Sequence, residues 1–345
     1  MMSVLANGWW LCGAAFVLSV ALTWAAIAYA HRRGMLDEPG YRRSHSIPTP
    51  RGGGVGLVVG TLLVVMVALP YWPGGHALWV AAAMGVAGLL VAVSGWVDDH
   101  RDTPVLSRLL VQLFAAGLFS AAVIHAHHLA WIWLLPCVLL AAWSINLHNF
   151  MDGIDGILGL QILFVGAGLG VLALGAAQVA LAVTAFGLAA AASGFLLFNW
   201  PPARIFMGDV GSGFAGFAIF ALVLLLTARV RPALWPALIL SSAFVTDAGW
   251  TLAWRIWRGK RWYTAHREHL YQWLVRCKCT HAGTSGLYML WNLLVVAPMA
   301  TWAVRRPALA PWLCLTMYIV ASGTWWQARR ACLEKVRHKG GRQVA

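Results

Sequence analysis

The fold is decided by residues 134–160, LLPCVLLAAWSINLHNFMDGIDGILGL. An apolar run ends in Asn146, His148 and Asn149. Asp152 and Asp155 follow, set between glycines, and the chain turns apolar again at once. A loop this short, with acids beside long apolar runs on both sides, reads as a connection between two membrane spans rather than a turn in a soluble core.

The rest of the chain repeats the pattern. Of 345 residues, 61% are hydrophobic and 10% charged, against about 25% charged in a typical soluble domain. The 21 tryptophans suit rings anchored at membrane interfaces. Apolar runs place eleven transmembrane helices near 9–30, 54–71, 77–97, 107–125, 130–147, 157–175, 178–198, 212–228, 234–254, 284–304 and 308–328. The expectation is an all-α polytopic membrane protein forming a single domain over 1–345, with a basic tail from 329 to 345. The first run lacks a basic leader and a cleavage site, so it reads as a retained span. Six scattered cysteines read as buried thiols, since Cys277 and Cys279 lack the second pair a zinc site would need.

Loops on one side hold 21 of the 25 basic residues, leaving Arg229, Arg231, Arg305 and Arg306 on the other. The rich side is expected in the cytoplasm, with the N-terminus outside and the C-terminus inside. Because the positive charge is distributed over short loops, the net +14 points to topology and anionic lipid, not nucleic acid. In this topology all eleven acids lie on or near the cytoplasmic side. The charge rule does not require that, whereas a cation-dependent site on that face would.

Five segments carry chemistry. Asp98, Asp99 and Asp102 follow the third span, three carboxylates that repel unless a cation intervenes; Arg108 stands just beyond as a phosphate contact. Asp152 and Asp155, with Asn146 and Asn149, follow the fifth. Asn199, Phe206 and Asp209 lie in NWPPARIFMGDVGSG, 199–213, a Gly-rich approach to a helix N-terminus that favours anions. His266, Arg267, Glu268 and His269 lie in the long basic loop, where a guanidinium suits phosphate; a solvated loop on anionic lipid is the bland alternative. Arg51 closes a run, 42–54, of cations, prolines and glycines. Asp247, inside the ninth span, is expected to pair with Arg255 or to be a protonated structural acid.

Together these segments, from about 40 to 275, resemble the polyprenyl-phosphate N-acetylhexosamine-1-phosphate transferases. NFMDGIDG at 149–156 and FMGDVGS at 206–212 are the most specific parts, and Asp98-Asp99 and PTPRGGG at 48–54 fit as well. The resemblance implies transfer of an N-acetylhexosamine 1-phosphate from a UDP-N-acetylhexosamine to undecaprenyl phosphate, releasing UMP. It implies Mg²⁺, with Mn²⁺ as a substitute. Asp209 would be the leading metal ligand, with Asp155 and Asp99 beside it. Asp98 and Asp99 would lie at the acceptor phosphate, Asp152 and Asp155 at the nucleotide and metal side, and Asn199 and Phe206 at the nucleotide. Arg267 and His269, with His266, would hold the donor phosphates. The muramoyl-pentapeptide branch carries three consecutive histidines in the last cytoplasmic loop. Here that loop reads HREHLYQ, 266–272, favouring the branch that initiates O-antigen, capsule or exopolysaccharide at the bacterial inner membrane. Membrane lipid is an expected partner, and a homodimer is compatible with the sequence. A lipid-linked-sugar flippase would put acids deep in the spans. A non-catalytic scaffold would tolerate Asp209→Asn.

Overall fold

The computed structural model describes residues 2–38, 48–68, 76–101, 103–260 and 266–341. Arg42, Arg43 and the rest of 42–47, with Asp102, lie outside the described residues. Helices dominate: α1 (Met2–Arg33), α2 (Val55–Ala68), α3 (Ala77–His100), α4 (Val105–Ala126), α5 (Leu134–Phe150), α6 (Ile157–Gly175), α7 (Val179–Asn199), α8 (Gly208–Arg229), α9 (Leu234–Leu240), α10 (Ser242–Trp257), α11 (Leu270–Arg276), α12 (His281–Trp291), α13 (Ala297–Arg305) and α14 (Ala310–Gly341). One short antiparallel pair, β1 (Leu36–Asp37) and β2 (Thr49–Pro50), joins Leu36 to Pro50 and Asp37 to Thr49.

Among the described residues, nine helices are long and apolar enough to cross a membrane; α12 and α13 count as one, His281–Arg305, joined through a π-helical turn. Two expected spans look different. The segment expected at 54–71 contains α2, an apolar helix of 14 residues. The segment expected at 234–254 is divided at Ser241 into α9 and α10. Ser241 Oγ donates back to the Ala237 carbonyl at 3.2 Å, a bond that disturbs helices locally. Backbone bonds from Ser241 to Ala237 and from Val245 to Ser241 carry the helix across. The segment expected as a tail is helical as far as Gly341, and Arg329 is buried within it.

Lipid gives packed helices no hydrophobic drive toward one another, so small residues at close contacts decide where they meet. The centre is α7 and α8: α6 and α1 pack on α7, while α3 and α5 pack on α8. A Cβ on Gly54 would fall on the backbone of Gly211, so only glycine lets the start of α2 touch α8. That contact is extended by backbone bonds from Phe206 to Pro50 (2.8 Å), Gly53 to Phe206 (2.9 Å) and Gly54 to Met207 (2.8 Å).

The short connectors between α3 and α4, α5 and α6, and α7 and α8 therefore gather at one end of the bundle. The α5–α6 connector carries Asp152 and Asp155, while Asp98 and Asp99 stand in the last turn of α3 and Asp209 in the first turn of α8.

Candidate active site

Those connectors enclose a cavity of about 240 Å³. Its wall includes Asp99, Asp152, Asp155 and Asp209, with Arg51, Asn149, Asn199 and Phe206. Residues that are 158 positions apart in sequence, Arg51 and Asp209, thus face one space.

Each acid is held differently. The Asp99 carboxylate caps α8: Oδ1 accepts the Asp209 N–H at 3.0 Å and Oδ2 the Val210 N–H at 3.1 Å. Unpaired amides and the helix dipole favour an anion there. The chain can reach this geometry because Gly208 has φ +76°, and a Cβ on it would sit 2.5 Å from Asp99 Oδ2. Asp155 is fixed from both sides, with His281 Nδ1 3.2 Å from Oδ1 and the Ala203 N–H donating to Oδ2 at 3.0 Å. Asp209 takes Arg108 Nη1 on Oδ2 at 2.8 Å. The same guanidinium nitrogen bonds Asp98, whose other oxygen accepts from the Thr103 hydroxyl and amide. Asp98 and Arg108 thus stand behind Asp209, off the cavity wall.

Asp152 differs from all of these. Its side chain has no hydrogen bond or ion pair with any described residue. Burial first, then the charges of Asp209, Asp99 and Asp155, pushes its carboxyl up to about 8. An acid whose strongest electrostatic neighbours are other acids suits a cation. Among the described residues no three His, Cys, Asp or Glu side chains converge closely enough to hold a metal as they stand. A hard cation that keeps several waters and takes one or two carboxylates plus substrate phosphate does not need three. The donor set fits Mg²⁺ on those terms.

Of the two amides on the wall, Asn149 donates to Ser212 Oγ at 3.2 Å. Asn199 is a structural clip, accepting the Gly156 N–H and donating to the Ile205 carbonyl, both at 2.9 Å. Arg51 brings the opposite charge, with a buried Nε that lacks a hydrogen-bond partner.

Besides Asp98 and Arg108, four expected site residues do not line the cavity: Asn146, His266, Arg267 and His269. Asn146 donates to Gln112 Oε1 at 2.7 Å, tying α5 to α4. His269 is 2% exposed, its ring stacked near Phe150 and Tyr271. Burial pushes His269 down, and with the charge of His269 and Arg255 it pushes His266 down to about 4. Neutral buried imidazoles are poor grips for phosphate. Arg255 bonds Glu268 at 2.8 Å, and the ion-pair neighbour of Asp247 is His269, with Nδ1 3.9 Å from Oδ1. The Asp247 carboxylate accepts the Leu270 N–H at 2.8 Å and the Tyr271 N–H at 3.4 Å, capping α11.

The cavity also takes residues that the sequence reading passed over: Asp37, Gln272, Ser212 and His281. Ser212 and Gln272 lay inside quoted motifs. Asp37 arrives through the β1–β2 pair, and His281 opens α12; no local signal marks either.

Fold and site define a polytopic membrane protein with a polyanionic cavity at one end of its helix bundle. The family model "Glycosyl transferase family 4" matches residues 81–227. The chain is 33% identical to a phospho-N-acetylmuramoyl-pentapeptide-transferase of Moorella thermoacetica, over 59% of this chain and 70% of that protein. It is 28% identical to an undecaprenyl-phosphate alpha-N-acetylglucosaminyl 1-phosphate transferase of Yersinia pestis, over 89% and 87%. It is 30% identical to a probable undecaprenyl-phosphate N-acetylglucosaminyl 1-phosphate transferase of Bacillus subtilis, over 56% of this chain and 55% of that protein, so it spans about half of that relative's length. The chain belongs to the polyprenyl-phosphate N-acetylhexosamine-1-phosphate transferase family.

Proposed function

We propose that this protein transfers an N-acetylhexosamine 1-phosphate from a UDP-sugar to undecaprenyl phosphate and releases UMP, at the cytoplasmic face of a bacterial inner membrane. The observation that carries the reading is the cavity itself, where five aspartates meet Arg51 at the end of an apolar bundle. A lipid phosphate and a nucleotide diphosphate repel, and a site that joins them must offset that repulsion.

Asp152 and Asp209 would hold Mg²⁺, which would supply positive charge against the repulsion between the phosphates. These two replace the trio Asp209, Asp155 and Asp99 as the favoured ligands. The oxygens of Asp99 are taken by α8 amides and those of Asp155 by His281 and Ala203. Asp209 has Arg108 on one oxygen and the Asn149 amide beside it, contacts that leave carboxylate lone pairs for a cation. Arg51 binds donor phosphate. Arg108 holds Asp98 and Asp209 together without a like-charge clash. Asp98, fully bonded to Thr103 and Arg108, fits an orienting role better than that of a base. Phe206, fixed by its backbone to Pro50 and Gly53, offers a face to the uracil ring.

Relatives from both branches match the chain. The loop 266–272 favours the O-antigen, capsule or exopolysaccharide branch, because it reads HREHLYQ and holds no run of three histidines. Tyr271 is buried and donates to the Phe150 carbonyl at 3.0 Å. The test is purified protein with undecaprenyl phosphate, Mg²⁺ and a panel of UDP-sugars, scored for UMP. Release with a UDP-N-acetylhexosamine supports the reading. Release only with the UDP-muramoyl-pentapeptide moves the protein to the other branch, and no release with any donor overturns it.

A further inference from the structure

Two arginines beside the α10–α14 contact have no carboxylate partner among the described residues. Arg329, on α14, is 6% exposed, yet its Nε has no hydrogen-bond partner. Its guanidinium carbon lies 5.0 Å from the ring centre of Trp254 and 5.3 Å from that of Trp325. Arg258, one residue beyond α10, lies 4.4 Å over the same Trp254 ring. Two guanidinium groups therefore lean on one indole, and their charges act against each other.

The acids in the neighbourhood are committed elsewhere. Glu268 takes Arg255 and Lys260, each at 2.8 Å. Glu334 takes Arg330 at 2.9 Å. Asp247 is occupied by the α11 amides, the Tyr288 hydroxyl and the Trp325 indole. Stacking on an indole face favours a cation, but it does not satisfy the in-plane N–H donors of a guanidinium. A buried guanidinium with donors to spare and a second cation beside it calls for an anion.

The surroundings say what carries that anion. Trp257 is 77% exposed, Ile256 58% and Trp326 41%. Indole rings and a branched aliphatic residue turned outward from a membrane bundle, next to uncompensated arginines, match the boundary between acyl chains and headgroups. We infer that the α10–α14 corner is a binding site for an anionic membrane phospholipid. Arg258 and Arg329 hold its phosphate, and Trp254, Trp257 and Trp326 form the ledge under its glycerol and upper acyl chains. The site is separate from the acidic cavity and does not depend on the activity proposed for it. Trp325 donates to Asp247 at 2.9 Å, so an occupied site also steadies the carboxylate that caps α11.

The experiment uses the full chain in nanodiscs of phosphatidylcholine, with and without phosphatidylglycerol, read by thermal unfolding and by native mass spectrometry of co-released lipid. Phosphatidylglycerol raises the wild-type unfolding temperature and is retained on the protein, while inorganic phosphate does neither. Arg258→Gln weakens phosphatidylglycerol binding roughly tenfold, as expected for one charge-assisted contact. Arg329→Gln weakens it further. Arg231→Gln, at the opposite end, leaves it unchanged. Arg258 is exposed, so its variant decides the matter even if the Arg329 variant fails to fold. Equal behaviour in the two membranes, unchanged binding by Arg258→Gln, or an equal effect of inorganic phosphate would each overturn the inference.

Discussion

Replacing Asp247 by Asn tests how the loop at 266–272 is held. The carboxylate is 1% exposed and accepts five hydrogen bonds. Oδ1 takes Leu270 N–H (2.8 Å), Trp325 Nε1–H (2.9 Å) and Thr251 Oγ1–H (3.3 Å). Oδ2 takes Tyr288 O–H (2.7 Å) and Tyr271 N–H (3.4 Å). An asparagine keeps its carbonyl toward the first three and turns its NH₂ toward the other two. The Tyr288 hydroxyl can rotate and accept, but the Tyr271 amide then faces a donor. Hydrogen bonds to a charged acceptor contribute about 1.5–3 kcal/mol and neutral ones about 0.5–1.5, so four bonds losing charge assistance amount to roughly 3–5 kcal/mol. The orphaned Tyr271 amide adds about 1 kcal/mol more. Asp247→Ala orphans every donor and is expected not to fold. Thermal unfolding in detergent reads both, and Asp247→Asn should unfold at least several degrees below wild type. An unfolding temperature within a degree of wild type would refute the reasoning, because the carboxylate would then not be what fastens α11.

Gly208→Ala puts an L side chain at φ +76° and a Cβ 2.5 Å from Asp99; backbone strain alone costs about 1–2 kcal/mol, so unfolding temperature and UMP release should both fall, and a neutral result would mean Asp99 is not docked on α8. Asp152 gives a pH dependence: the folded, cation-free protein keeps a proton up to about pH 8 that the unfolded chain loses near 3.8. Stability without cation therefore declines as pH rises through that window, while stabilisation by Mg²⁺ increases across it. Thermal unfolding with and without Mg²⁺ at both ends of the window measures this, and an equal Mg²⁺ effect at the two ends would remove Asp152 from the cation site. Arg108→Gln leaves Asp98 and Asp209 facing each other without their shared cation. It should lower UMP release at limiting Mg²⁺ more than at saturating Mg²⁺, and a uniform loss would place Arg108 on substrate instead.

The helices were legible because lipid imposes a length and an apolarity that few soluble segments reach. The cavity acids were legible because Asp99, Asp152, Asp155 and Asp209 sit in or at the ends of short connectors between apolar helices, where a charge needs a reason. What failed to show was long-range pairing. Asp247 finds its partners 4 to 78 positions away, so nothing beside it in sequence distinguishes a cap for α11 from a partner for Arg255. His281 and Asp37 enter the site through the docking of α12 and of β1, which no local pattern encodes. Asn146 and His269 carry the residue types of a binding site, but Asn146 faces Gln112 and His269 is packed among aromatic rings. Asp99 and Asn199 reach the cavity and are also bonded to backbone, a dual use that residue type alone does not reveal.

The central claim is that a cation held by the carboxylates of this cavity brings two phosphates together. Its most direct measurement is UMP release from a UDP-N-acetylhexosamine and undecaprenyl phosphate by folded wild-type and Asp209→Asn protein in parallel. The account predicts Mg²⁺-dependent release by wild type and loss of about two orders of magnitude or more in the variant, the scale of removing one electrostatic contact to a transition state, with unfolding temperature preserved. Comparable rates from the two proteins would contradict it.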